Sequence, residues 1–237
     1  MAPTHHLARS LAIFGDASLA NARAFLESKG FVLPRDGIRA RAWCEERAEE
    51  GDALASYVAA EMSLIGLFGP DNKERALRLA EFAADSGLAS AQLLAAAIYE
   101  KEDGTKAKAL IRMSVEKDYA PALYAAALKY MVDGANESEK QEGLAYMVRA
   151  AKSGYAPAQT TLASHLLESG EKAEIVEGLD LMQSAAEQGS AHARRMLAHF
   201  YLAGRYGLGV EPAKAAKLKA EAAEIESEAL RVWGLAQ

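Results

Sequence analysis

The run Ala185-Ala186-Glu187-Gln188-Gly189-Ser190-Ala191-His192-Ala193 decides how the chain is read. Two small residues close one helix, a glycine follows, and Ala-x-Ala opens the next. The same phrase occurs at Gly51-Asp52-Ala53-Leu54-Ala55 and at Gly87-Leu88-Ala89-Ser90-Ala91. It recurs at Gly154-Tyr155-Ala156-Pro157-Ala158 and, with aspartate in the glycine's place, at Asp118-Tyr119-Ala120-Pro121-Ala122. Successive anchors are 36, 31, 36 and 35 residues apart. Alanine bias alone scatters Ala-x-Ala pairs, but it does not hold one phase over five copies. A fixed period in this range marks a protein built from repeated supersecondary units.

Each period reads as two helices. The first begins at the anchor and spans Ala191 to Ala203 in the fifth copy and Ala89 to Glu100 in the second. Counted from the anchor, positions four, eight and twelve share one helical face. They hold Ala193, Leu197 and Tyr201, then Ala91, Ala95 and Tyr99, then Ala122, Ala126 and Tyr130. The second helix runs from a polar cap to the next anchor. Asp71 is expected to cap the one ending at Asp85, with Glu74 completing a capping box. Pro212, after Glu211, opens the last one. Gly87, Gly154 and Gly189 stand where a helix stops in the left-handed region, and Asp118 is a poorer occupant of that place. The 31-residue spacing predicts a shortened connection near Glu102-Asp103-Gly104.

The rest of the composition agrees. The 237 residues are 51% hydrophobic and 25% charged, enough apolar matter for a core. Alanine favours helix and is depleted in strands, so the fold class is all-α. A net charge of -6 argues against a general nucleic-acid binder. One cysteine, Cys44, excludes an intramolecular disulfide framework, and its thiol is expected to be half-buried. No apolar window is long enough to cross a membrane. Met1 to Ala22 has a short apolar run for a signal peptide and is expected to form a capping helix of a cytoplasmic protein, with export, for which Ala20-Asn21-Ala22 resembles a cleavage site, as the lesser alternative. The organisation expected is an N-terminal cap with a degenerate first repeat over 1–50, repeats over 51–210, and a capping helix over 211–237, all in one continuous solenoid. Residues 38–49 are expected to form the second helix of the degenerate copy.

These residues resemble the Sel1-like repeats, relatives of the tetratricopeptide repeats, over about residues 48–225. The fifth copy carries the resemblance best, through Ala191, Ala193, Leu197, Ala198, Tyr201, Gly204, Gly207, Gly209, Val210 and Lys214-Ala215. The Ala-Ala-x-x-Gly ending also appears at Ala83 to Gly87 and at Ala150 to Gly154. Most copies lack the Gly-x-Gly-Val loop, and Ala59, Ala95 and Ala126 replace the usual leucine. The resemblance implies a right-handed superhelix of about five to six helix pairs that acts as a scaffold for other proteins.

Sets that could carry chemistry are weak. Ser114-x-x-Lys117 matches the serine–lysine pair of penicillin-binding enzymes, and some cysteine-rich relatives are linked to β-lactams. The chain lacks the Ser-Asp-Asn and Lys-Thr-Gly partner motifs. Gly204 to Gly209 is glycine-rich, yet it follows a helix and lacks the Lys-Ser/Thr ending of a phosphate loop. His165, His192 and His199 have no zinc spacing. No cofactor or metal is expected, and the chain is read as non-enzymatic.

The repeat phase points to a binding face instead. Positions three, seven, ten and fourteen make a second stripe on each first helix. Position seven holds Val58, Leu94, Thr161 and Met196, and position ten holds Glu61, Leu128 and His199. Position six adds Tyr57, Tyr124 and Arg195. In a solenoid these ten residues line the concave face, with an apolar centre flanked by charge, which suits a helical or extended peptide. The expected function is an adaptor or regulator that binds a protein or peptide there. The alternatives are an immunity or inhibitor protein that neutralises one toxin or enzyme, and a hydrolase of the β-lactam-binding type using Ser114. Leu218, Ile225, Leu230 and Trp233 on the last helix are expected to suit a second copy of the chain.

Overall fold

The computed structural model describes residues 37–64, 72–133 and 136–232, and all its regular elements are helical. Helices α1 (Gly37–Glu49), α2 (Ala53–Leu64), α3 (Lys73–Asp85), α4 (Ala89–Tyr99) and α5 (Gly104–Val115) precede α6 (Ala120–Asp133). Then come α7 (Glu137–Lys152), α8 (Ala156–Ser169), α9 (Lys172–Glu187), α10 (Ala191–Ala203) and α11 (Pro212–Val232). The even-numbered helices are the first members of the repeats. The described residues divide into two compact units, one up to Ala125 together with Arg231 and Val232, and one over 126–230. The expected cap over Met1 to Ala22, and Trp233, lie outside the described residues.

The second helices α1, α3, α5, α7 and α9 end in the same reversal. Gly87 donates its N–H to the Ala84 carbonyl at 2.9 Å, and Leu88 reaches back to Ala83 at 3.2 Å. Gly154 with Tyr155 and Gly189 with Ser190 repeat both bonds. Asp118 and Tyr119 do so too, onto Val115 and Ser114. This is the Schellman closure, and it requires a left-handed residue after the helix. The glycines hold φ near 85 to 95°, and Asp118 holds 52° despite its side chain.

The packing stripe is sealed. Ala91, Ala95, Ala122, Ala158 and Ala193 are fully buried, and Ala126 and Leu197 nearly so. Alanine lets helix axes approach closely, and larger neighbours fill the layers. In residues 126–230, Leu167, Met182, Leu197 and Phe200 form one such layer with Ala163 and Ala185. In the first unit, Leu94 and Ile98 do the same with Ala76, Ala80 and Ala95. Where backbones come closest even alanine is too large. A Cβ on Gly178 of α9 would stand 3.0 Å from the Ala163 carbonyl and 2.9 Å from Leu167.

Position five adds a polar tie that the sequence reading missed. The buried Gln159 side chain donates to the Ala151 carbonyl at 3.2 Å, and Gln92 makes the equivalent bond to Ala84 at 3.4 Å. Each glutamine thus adds a second bond to a terminal carbonyl of the preceding second helix that already accepts from the anchor glycine.

Two local expectations need correction. Asn72, not Asp71, is the N-cap of α3, because its side chain accepts from the Arg75 N–H three residues on. Asp71 itself lies outside the described residues. The 31-residue spacing has the expected short connection, 100–103 against 65–72, when set beside the first repeat, but it comes from short helices when set beside the later ones. Helices α4 and α5 have 11 and 12 residues, against 14 and 16 for α8 and α9.

Asp118 is the one imperfect hinge in the set of five. Asp118→Gly is expected to stabilise the protein by about 0.5–1 kcal/mol, and Gly154→Ala to destabilise it by about 1–2 kcal/mol. Denaturant unfolding of the two variants beside wild type measures both shifts.

Candidate protein-binding surface

The first helices have a second face, and its openness differs between the two units. In the first unit, Val58 and Leu94 are 0% and 1% exposed. Both belong to the packed interior, Leu94 within the layer that includes Ala80 and Ile98. They have no surface to offer a partner, which corrects the expectation that they floor an apolar groove. Position seven there turns far enough inward to meet the second helices. Tyr57 and Tyr124 are partly buried.

Glu61 is the anomaly of this unit. It is only 6% exposed on α2, where the same position of later repeats is open. The Tyr57 hydroxyl donates to Glu61 Oε1 at 2.5 Å, and Oε2 has no hydrogen-bond partner. Burial pushes the Glu61 carboxyl up to about 7, and the Tyr57 bond opposes that only partly. Burial, with Glu61 close by, also pushes the Tyr119 hydroxyl up to about 12. A buried carboxylate costs free energy unless it is paired, so the protonated form is the better fit to this site.

In residues 126–230 the stripe is more open. Leu128 of α6 is 37% exposed, Thr161 and Ser164 of α8 are partly buried, and His199 of α10 is exposed. Met196 is partly buried and leans on the core layer of α8 to α10. Arg195 is exposed but engaged, forming an ion pair with Glu226 of α11. Its neighbour Arg194 pairs with Glu221 at 3.4 Å. These pairs hold the last helix, whose Leu218 packs beside Tyr201 and Ala198. Leu218 therefore serves the chain's own core, which corrects its place on a face for a second copy. Ile225 is partly buried, and the side chain of Leu230 lies outside the described residues.

The chemistry-bearing residues are engaged structurally. Ser114 is buried, and its hydroxyl donates to the Ala89 carbonyl at 2.8 Å. Lys117 donates to the Gly87 carbonyl. The pair ties α5 to the start of α4, with the serine hydroxyl and the lysine amine on separate carbonyls rather than on each other. Cys44 is fully buried rather than half-buried, and burial, with Asp52 and Glu45 nearby, pushes its thiol up to about 12. A thiol held protonated is a poor nucleophile. The glycine-rich stretch forms the turn between α10 and α11, with Tyr206 packed edge-on against Phe200 at 4.9 Å. Among the described residues no group of three His, Cys, Asp or Glu could hold a metal, and no helix is long and apolar enough to cross a membrane.

The architecture defines a class, the α-helical repeat proteins built from antiparallel pairs. Within that class the fold is the Sel1-like repeat fold. A Sel1 repeat protein from Oxalobacter formigenes superposes with a TM-score of 0.65 at 24% identity, over 87% of this chain and 60% of that one. The c5321 protein, a protective antigen of uropathogenic Escherichia coli strains with an SLR fold, gives 0.62 at 23% identity. That match covers 88% of this chain and 46% of the other. The immunity protein Pa5087 from Pseudomonas aeruginosa gives 0.66 at 18% identity, over 88% and 83% of the two chains. The chain thus spans about half to three-fifths of the length of the first two. No protein-family model matches the sequence, and no curated protein does.

The Glu61 carboxyl holds its proton more tightly in the folded chain than its ordinary value of 4.5 allows in the unfolded one. Folding therefore takes up a proton between about pH 4.5 and 7, and stability falls as pH rises through that window. Glu61→Gln keeps the Tyr57 bond and carries no charge. It is expected to flatten the fall and to add about 1–3 kcal/mol at pH 8, read from denaturant unfolding of both proteins across pH 4 to 8.

Proposed function

We propose that the protein is a non-catalytic binding module that engages another protein through the open stripe of its first helices in residues 126–230. The observation that carries this reading is the exposure pattern of those helices. One face of each is sealed by Ala126, Ala158 or Ala193, while Leu128, Ser164 and His199 recur at the same repeat position with surface to spare. A residue kept free of the shared packing role at one position in successive repeats is available for a partner. Leu128 supplies the apolar contact, Thr161 and Met196 flank it, and His199 gives a polar edge. The fold shared with Sel1-repeat proteins supports a scaffold rather than an enzyme, and the Ser114 and Cys44 side chains are buried in the other unit.

A second reading is favoured by one comparison. The immunity protein and this chain cover each other over most of their lengths. On that reading the stripe blocks a single cognate toxin or enzyme. The partner would then be one protein, bound tightly and one to one.

Leu128→Asp separates binding from folding, since a side chain already 37% exposed tolerates charge. Affinity capture from the source lysate with wild type and variant, followed by titration of the captured protein, is the test. The variant should keep its helical circular dichroism and bind about ten- to a hundredfold more weakly, a loss of about 1–3 kcal/mol. Equal capture by both would place binding elsewhere. A single one-to-one partner supports the immunity reading, and several partners support the adaptor.

A further inference from the structure

A cleft of about 410 Å³ opens between α7 and α9 with α8 as its floor. Leu162 and Leu166 make the floor, and Leu144 and Val148 make the α7 wall. Glu174 and Glu177 stand on the α9 side, with His165 and Glu168 at the rim. Among the described residues none of the three carboxylates has an ion-pair partner. All of these residues belong to one unit, and apart from Glu168, at position fourteen of α8, they lie off the stripe positions of Leu128 and His199.

Other repeats show what occupies the corresponding place. In the second repeat the position-twelve residue is Tyr99, and its hydroxyl donates to Glu81 of α3 at 2.5 Å. Lys106 of α5 sits over the Tyr99 ring, 4.2 Å from its centroid, and donates to Glu81 at 2.7 Å. Those bonds hold the Glu81 carboxyl below its ordinary range. In the fifth repeat Tyr201 receives Lys214 of α11 in the same way, at 4.0 Å. Counted from the anchors, Tyr99, Glu81 and Lys106 become Leu166, Val148 and Glu177 in the fourth repeat. The aromatic ring is gone, the wall is apolar, and the cation is replaced by an anion. The space that a tyrosine and a lysine fill in the second and fifth repeats is left as a cleft.

We propose that this cleft is a second docking site, and that its occupant is a protein segment supplying the missing pair, an aromatic side chain with an adjacent lysine or arginine. The ring would lie on Leu162 and Leu166 against Val148. The cation would meet Glu177 and Glu174, which face it from α9, while Glu168 adds charge from α8. Charge complementarity and the apolar floor both select this chemistry, and an acidic or purely polar segment fits neither. The proposal rests on the reading of the chain as a protein-binding module, but it concerns a different surface.

Methyl-resolved NMR of the full chain tests it with three capped synthetic peptides. One carries tyrosine and leucine between lysines, a second has every lysine replaced by glutamate, and a third has the tyrosine and leucine replaced by alanine. The first should give saturable shifts at the Leu144, Val148, Leu162 and Leu166 methyls, weakened several-fold between 50 and 200 mM salt. The other two should bind at least tenfold more weakly. Leu166→Tyr/Glu177→Lys rebuilds the pair found in the second and fifth repeats and should abolish the shifts. Glu174→Gln/Glu177→Gln, which alters only surface charge, should weaken them several-fold. The proposal is overturned if the lysine peptide leaves these methyls unmoved at 5 mM, if the glutamate peptide moves them equally, or if both variants bind as wild type. Shifts confined to Leu128 and Met196 would overturn the cleft while supporting the stripe, so the two readings fail separately.

Discussion

The left-handed residue that ends each second helix sets where the next first helix begins. Its two backbone bonds satisfy terminal carbonyls and turn the chain back at one fixed angle. Gly51, Gly87, Asp118, Gly154 and Gly189 all adopt it. Because the reversal is the same each time, the residue four places on always meets the preceding pair, and that residue is always alanine. A larger side chain there would push the helices apart. The buried glutamines Gln92 and Gln159 then add a second bond to the Ala84 and Ala151 carbonyls, which already accept from Gly87 and Gly154.

That constraint divides each first helix into a face with a shared task and a face without one. The shared face is nearly identical from repeat to repeat. The other varies, and its variation is where individual chemistry enters. In the first repeat it buries Glu61 with one oxygen unpaired, an arrangement costly to stability at neutral pH. In the third and fifth it leaves Leu128 and His199 open. The second helices vary under the same rule. Lys106 and Lys214 close their spaces over tyrosine rings, whereas Glu177 leaves one open.

Much of this could be read from the chain itself. The anchors, the ends of α4, α8 and α10, the strained Asp118 and the opening of α11 at Pro212 follow from local backbone chemistry. So does the sealed stripe, since four-residue spacing maps directly onto a helix face. What failed was the depth of burial on the second stripe. Val58 and Leu94 occupy the same position as Thr161, yet they are core and Thr161 is not. The difference depends on how far each helix leans on its neighbours, which spacing along one helix cannot express. The Glu61 site was missed as a buried charge for the same reason: its partner Tyr57 is only four residues away, but the depth of its burial is not written in that spacing. The cleft had a legible signal. Aligned from their C-terminal anchors, the first repeat also lacks the tyrosine (Ser63) and the third also has a glutamate (Glu142), but only the fourth combines both changes, in Leu166 and Glu177.

The division of each first helix into two faces is tested most directly on α4, where Ala95 is fully buried and Ala97 is exposed. The measurement is the unfolding free energy of Ala95→Leu and Ala97→Leu beside wild type. The account predicts that Ala95→Leu costs about 1–3 kcal/mol or more through overpacking, while Ala97→Leu stays within about 0.5 kcal/mol. Equal effects at the two positions would contradict it, because α4 would then have no closed face for the repeats to share.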